Sequence, residues 1–344
     1  MRSSLPKPLH RLCGRPMVLH VIDALAELDV DRVVVVIGHR ADLVAKAVTE
    51  LAPVGLSVEF VEQVEQRGTG DAAAVALAAF EEIDDDDDVV VLPGDTPLLR
   101  PATLAELVVS HRSRDASATL LTADVADPSG YGRVVRAKDG RVEGVVEHGD
   151  ASAEEREISE VNTSIYCFRL PLLGPALRRL SPSNSQGEYY LTDAVNVLFE
   201  AGYRTHSLTV ADSMEVAGVN DRAQLAVAEA ELRDRINERW MRRGVTMWDP
   251  ERTYVDAEVQ LATDVVLLPG TILRGRCVIG EGARIGPDAL LEDTEVGERA
   301  QVGTVTAERA SVGADAKVGP YVMLRPGSVI DDGATIEAPR QLES

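Results

Sequence analysis

Along the last quarter of the chain an aliphatic side chain returns at every sixth position. Val255, Leu261, Leu267, Leu273, Ile279, Ile285 and Leu291 hold one phase, and after slips of register Val296, Val302, Val312, Val318, Leu324, Ile330 and Ile336 resume it. Helices repeat every 3.6 residues and strands every two, so neither explains the spacing. Several of these residues are followed by Gly and then, four places on, by Ala, as in Ile279-Gly280…Ala283, Val296-Gly297…Ala300 and Val312-Gly313…Ala316. Stacked six-residue faces of a parallel β-helix give this pattern, one aliphatic side chain turning inward per face and a small residue relieving each corner.

The front two-thirds has a different rhythm. Short strand-like runs at 33–37, 58–61, 89–92 and 117–121, the first wholly β-branched, alternate with segments at 16–28, 41–51, 71–80 and 101–110 that carry apolar residues at helical spacing. Such alternation predicts a parallel sheet covered on both faces, with Pro16 and Pro101 in first-turn positions of their helices. A hairpin is expected over 138–146, a strand from Asn162, a helix opened by the segment 186–193, and a charged helix from Asn220 to about Arg243 with Leu225, Val227, Ala230, Leu232 and Ile236 on its apolar stripe. The expected layout is an α/β doubly wound, Rossmann-like domain at 1–219, a connector at 220–250 and a left-handed parallel β-helix at 251–344.

Charge narrows the partners. With 57 acidic against 35 basic side chains the formal charge is −22, which repels nucleic acid and anionic membrane, so a polyanionic substrate needs a local cation. No run approaches the ~20 apolar residues of a membrane span, and the start lacks an apolar signal region. Cys13, Cys167 and Cys277 have no metal-type spacing and read as reduced fillers. A soluble, cytoplasmic protein is expected.

In doubly wound sheets ligands gather beyond the carboxyl ends of strands, which directs attention to His39, to 63–70 and to Gly94-Asp95. Asp95 stands at the mouth of a strand beside a glycine. It suits a metal or phosphate site, and equally a turn before the Pro101 helix. Gln66-Arg67-Gly68-Thr69-Gly70 offers amides at a helix start. The acidic run 84–88 reads as a solvated loop, His148 as a surface histidine, and Asn220 alone as an N-cap. Ser, His and Asp form no spaced nucleophile set, so covalent catalysis is unsupported.

Read in order, Leu5-Pro6-Lys7-Pro8-Leu9-His10, Gln66-Arg67-Gly68-Thr69-Gly70, Gly94-Asp95-Thr96-Pro97-Leu98, Gly130-Tyr131-Gly132-Arg133, Val146-Glu147-His148, Glu160-Val161-Asn162-Thr163, Gln186-Gly187-Glu188-Tyr189-Tyr190-Leu191-Thr192-Asp193 and Glu215-Val216-Ala217-Gly218-Val219-Asn220 resemble one family. It is the bacterial bifunctional N-acetylglucosamine-1-phosphate uridylyltransferase and glucosamine-1-phosphate acetyltransferase. The resemblance implies that N-acetylglucosamine 1-phosphate attacks the α-phosphate of UTP, giving UDP-N-acetylglucosamine and pyrophosphate. By residue matching, Asp95 and Asn220 hold Mg²⁺ and Lys7 meets the phosphates, while Gln63, Gln66, Gly68 and Thr69 hold uracil and ribose. Gly132, Glu147 and Asn162 hold the amino sugar, with Tyr131 and Arg133 in support. It also implies a homotrimer built through the coil.

The match has departures. The family begins with a strand and a glycine-rich turn ending in Gly-Thr-Arg-Met, whose Met coincides with Met1, so a start placed too late is expected. Gly149 stands where the family usually has Lys. The family's coil continues beyond Ile336 to its acetyl-transfer residues, of which only Arg325 has a match here, so acetyl transfer is expected to be absent from this chain. Two rival readings are a hexose-1-phosphate nucleotidyltransferase and a catalytically silent, nucleotidyltransferase-like assembly or regulatory subunit.

Overall fold

The computed structural model describes residues 1–80 and 82–338; the end of the expected coil, 339–344, lies outside them. The chain divides into two units, Met1–His10 with Met17–Gln224, and Arg11–Pro16 with Leu225–Ser344. The boundary between the units at Gln224 and Leu225 lies inside a helix that begins at Arg222, and a short hairpin near the start, β1 (Arg11–Leu12) and β2 (Arg15–Pro16), goes with the second unit.

In the first unit, α1 (Met17–Ala26) turns Leu19 and Ile22 inward. Pro16, expected in its first turn, instead pairs with Arg11 in the hairpin, so the helix begins one residue later. β3 (Val33–Ile37) and β4 (Val58–Glu62) run parallel, and α1 with α2 (Ala41–Leu51) covers them through Val18, Leu19, Ile22, Val44 and Val48. α3 (Thr69–Leu77), β5 (Asp88–Val91) and α4 (Pro101–Ser113) follow, with Pro101 opening its helix as expected.

The main sheet is built from β5, β6 (Ala118–Asp124), β7 (Arg133–Arg136), β8 (Val142–Val146), β9 (Glu160–Arg169) and β10 (Thr205–Thr209), in the order β10-β6-β9-β7-β8 with β5 also on β9. It is mixed, not wholly parallel. β6 and β10 run together, but the ten-residue β9 is antiparallel to β5, β6 and β7. The apolar runs correctly signalled coverage of both faces: Ala118, Leu120, Tyr166 and Phe168 enter one core, and Leu121, Ala123, Ile165 and Cys167 the other. Coverage makes a strand apolar whichever way it runs, so direction was not in the pattern. Three helices complete the unit: the short, exposed α5 (Ala153–Arg156), and α6 (Leu170–Leu177) and α7 (Thr192–Glu200), which pack into the first of these cores.

In the second unit, α8 (Arg222–Arg242) buries Ala228, Ile236, Asn237 and Trp240. Val227, expected on its apolar stripe, is exposed, because the i, i+4 row through Leu232, Ile236 and Trp240 is the one that meets the coil's core. The coil is a parallel solenoid of about five turns over 246–336, consistent with a left-handed β-helix. Its three faces form parallel sheets of six, five and five short strands, and the first strand, Thr246–Met247, precedes the expected start at 251.

Every inward aliphatic position from Val255 to Leu324 is at most 8 % exposed, and Ile330 and Ile336 pack against the same core. The pattern's gap between Val302 and Val312 is filled by buried Ala307. Faces of five residues rather than six, at 291–296, 302–307 and 307–312, produce the register slips. Glycines at 280, 297 and 313 stack on the following coil. A Cβ on Gly297 would lie 2.6 Å from the Ala314 backbone nitrogen, so the small residue is required by close approach of two backbones.

Candidate active site

Three groups far apart in sequence meet at one point. Lys7, on a single 3-10 turn (Lys7–Leu9), donates from Nζ to Asn220 Oδ1 at 2.6 Å and forms an ion pair with Asp95 Oδ2. Asp95 follows β5 and accepts no bond from the α4 start, so the capping alternative is not what is seen. The Val219 N–H instead donates to the Asp95 carbonyl oxygen at 2.9 Å, bringing the segment before Asn220 alongside. Asn220 is not the N-cap of α8 either, since Asp221 Oδ1 accepts from the Ala223 and Gln224 N–H groups. Its side-chain oxygen is turned to the ammonium. A carboxylate oxygen and an amide oxygen therefore converge on a single cation, a donor set of the kind Mg²⁺ takes.

A second group lies beyond β4. The Gln63 N–H extends the β3–β4 ladder to Ile37 O at 2.8 Å, and Gln63 Nε2 donates to Asp71 Oδ2 at 2.7 Å and to Gly68 O at 3.2 Å, pinning the loop that opens α3. Gly68 has φ 108°, and a Cβ there would lie 2.6 Å from the Tyr189 carbonyl oxygen. Only glycine satisfies both. Gln66 is exposed beside Gly38, at the end of β3.

The third group surrounds β7, β8 and β9. Asn162, 5 % exposed, donates its N–H to Gly132 O at 2.9 Å and its Nδ2 to the Tyr166 hydroxyl at 2.7 Å. Glu147 is half-buried with Oε1 accepting from the Thr192 hydroxyl at 3.1 Å. Burial pushes its carboxyl above the usual range, the Thr192 hydrogen bond opposes this, and the charges of Asp193 and Asp150 add to the rise. Gly132 leaves space that a Cβ would deny, 2.8 Å from Val145 Cγ1 and 3.3 Å from Glu147 Oε2.

The segment 186–193, read from sequence as a helix opening and a motif of the resemblance but given no site role, ties the second and third groups together. Tyr189 N–H donates to Arg67 O and Tyr189 O accepts from the Gly70 N–H, both at 2.8 Å; Leu191 N–H donates to Thr69 Oγ1 at 3.0 Å; one residue on, Thr192 holds Glu147. Thr192 and Tyr189 were thus missed as site-positioning residues. Their signal was the polar stretch ending in Thr-Asp immediately before an apolar helix. Arg133, expected in support, is 2 % exposed and bonded to the Tyr131 carbonyl oxygen. His148 is half-buried rather than a surface histidine, its Nδ1 without a hydrogen-bond partner among the described residues.

No thiol competes for a chemical role. All three cysteines are buried, and burial pushes Cys167 up to about 12 and Cys277 up to about 11, away from the thiolate form. No described helix is long and apolar enough to cross a membrane.

Comparison with known proteins shows the family. The family described as nucleotidyl transferase matches residues 2–244. The chain is 43% identical over 336 residues to the bifunctional protein GlmU of Halalkalibacterium halodurans, covering 98% of this chain and 72% of that protein. It is 46% identical over 338 residues to the protein of the same name from Clavibacter sepedonicus, covering 98% and 68%. Among solved structures, HddC from Yersinia pseudotuberculosis shares the fold at 16% identity and a TM-score of 0.50, over 67% of this chain and 92% of that one. A family match over most of the chain, with relatives this similar along nearly its whole length, shows that the chain belongs to the nucleotidyl transferases and, among them, to the bifunctional GlmU proteins.

Proposed function

We propose that this nucleotidyltransferase of UDP-N-acetylglucosamine synthesis carries out its uridylyl transfer where Lys7, Asp95 and Asn220 converge. The observation that carries the assignment is the Lys7 ammonium in contact with both a carboxylate oxygen and an amide oxygen at the carboxyl end of β5. In the reaction a phosphate oxygen of N-acetylglucosamine 1-phosphate forms a bond to the α-phosphorus of UTP, and the bond from that phosphorus to the bridging oxygen breaks, releasing pyrophosphate.

The chain's own groups divide the work. Lys7 would move from its two oxygen partners to the phosphates as a mobile point charge, answering the need for a local cation in a protein of charge −22. Asp95 and Asn220 would then hold Mg²⁺, which when bound supplies neutralisation of the charge on the transferring phosphate. Two protein ligands leave room for water and phosphate oxygens. Gln63, Gln66, Gly68 and Thr69 would take uracil and ribose, and Gly132, Glu147 and Asn162 the amino sugar. The Tyr189–Thr192 backbone fixes the spacing between these two subsites. The reading includes a cytoplasmic setting and a homotrimer assembled through the coil.

The test is pyrophosphate release from UTP with Mg²⁺, supplied in parallel with N-acetylglucosamine 1-phosphate and glucose 1-phosphate, together with calorimetric binding of UDP-N-acetylglucosamine. The amino sugar should be preferred, and Lys7→Gln should weaken nucleotide binding. Equal use of both sugars would move the reading to a general hexose-1-phosphate enzyme. Unchanged kinetics in Lys7→Gln would remove the phosphate role from Lys7.

A further inference from the structure

Away from the active site, the second unit carries a concentration of positive charge that the uridylyl transfer does not use. Arg235, Arg239 and Arg242, at i, i+4 and i+7 on α8, and Arg243 in the turn that ends it, line with Glu238 a cleft of about 340 Å³. Two of the four are neutralised. Arg235 pairs with Glu231 and Arg242 with Glu238, each at 2.7 Å. Arg239 and Arg243 have no carboxylate partner among the described residues. Their guanidinium groups lie 5.3 and 5.6 Å from the centre of the Trp240 ring, which fixes both beside one rigid aromatic.

The arrangement is costly without an anion. Desolvation, then repulsion from Arg243, lowers the Arg239 guanidinium from its ordinary value. Complementing the helix dipole accounts for a cation or two in the last turn, not for four on one cleft. In a chain with 57 acidic residues, two arginines on one cleft left without a carboxylate partner, the nearby Glu238 being paired with Arg242, are conspicuous.

We propose that this cleft at the end of α8 is a binding site for a phosphate-bearing anion, held by the Arg239 and Arg243 guanidiniums and bounded by Glu238. Planar guanidiniums meet phosphate oxygens through paired N–H donors, and two of them set beside an aromatic ring suit a diphosphate better than a single carboxylate. Arg242 is a reserve cation, released if its partner Glu238 is lost.

The chain's two tryptophans, Trp240 and Trp248, both lie in the second unit, which provides a local readout. In Trp248→Phe protein the fluorescence of Trp240 is followed during titration with inorganic pyrophosphate in Mg²⁺-free buffer, against sodium chloride of matched ionic strength. A saturable change specific to pyrophosphate is expected. In the same background it should survive Lys7→Gln, which separates it from the active site. The half-saturating concentration should rise tenfold or more in Arg239→Gln/Arg243→Gln and fall in Glu238→Gln. The last variant keeps the test decisive should the double variant fold poorly. Three results overturn the proposal: a response matched by sodium chloride, one lost with Lys7, or one weakened by Glu238→Gln. So does a double variant that keeps the wild-type response, or that changes only the mass of the assembly.

Discussion

At the scale of single residues, the site places charge where folding alone would avoid it. On the proposed assignment Asp95 is the charged one of the two Mg²⁺ ligands, so Asp95→Asn keeps the shape of the group while removing that charge. Because a metal on phosphate oxygens contributes several kcal/mol to transition-state stabilisation, pyrophosphate release should fall on the order of a hundredfold or more. A rate within threefold of wild type would count against the metal assignment. Glu147 offers a second test, through stability. Its carboxyl is raised in the folded chain chiefly by burial, so between the unfolded value near 4.5 and the raised folded value the native state holds more protons than the unfolded one. Stability from this group is therefore complete below about pH 4.5 and is lost as pH rises through the folded value. Glu147→Gln does not titrate and fits the same space. Its Tm should gain on wild type as pH climbs from 4.5 and level off above the folded value, while turnover with the amino-sugar phosphate declines. A Tm difference that is flat with pH would show that burial of Glu147 carries no such cost.

At the scale of elements, the coil stands on repeated small contacts. Ile285 is fully buried, so Ile285→Ala should leave a cavity and cost about 2–5 kcal/mol, measured by denaturant unfolding. Gly297→Ala sets a Cβ against the backbone of the next coil and should cost about 1–3 kcal/mol, whereas Gly149→Ala meets only the Ser185 hydroxyl, which can rotate away. Equal stability of the two glycine variants would contradict the close stacking. These elements were legible because each six-residue face repeats one inward aliphatic, a signal local to its own repeat. Ala307 was not, since an alanine at an inward position of a five-residue face resembles any other small residue. Pro16 carries the composition of a helix start, yet its pairing with Arg11 is decided by neighbours. Much of the site was legible in the same restricted sense. Lys7, Asp95 and Asn220 could be named from resemblance, but their meeting across more than two hundred residues, and the Thr192 bond to Glu147, depend on tertiary contacts with no periodic trace.

At the scale of the whole molecule, association has to overcome net repulsion. Copies carrying −22 each repel, so a stable contact between them needs an apolar surface with few charges. The coil's three faces differ in this respect. Read along the pairing register, the outward positions of one face run Thr246, Val266, Arg284, Gln301, Lys317 and Thr335, and those of another Gln260, Val278, Glu295, Ser311 and Val329. The remaining face presents a column of Tyr254, Ile272, Leu290, Thr306 and Met323 that carries no charge, with Met323 70 % exposed, and keeps its charges to a second column of Arg274, Glu292 and Glu308 beside it. We propose that the trimer closes on this face. Light scattering at micromolar concentration should give about three times the 37.0 kDa chain mass for wild type. Ile272→Glu sets a like charge in the middle of that column and should return the mass to that of one chain, while Arg284→Glu, on the polar face, should leave the trimer intact. A wild-type mass of one chain would end the trimer reading. A trimer that survives Ile272→Glu but not Arg284→Glu would keep the assembly and transfer its contact to the polar face, where repulsion between copies would have to be met by salt bridges rather than by burial.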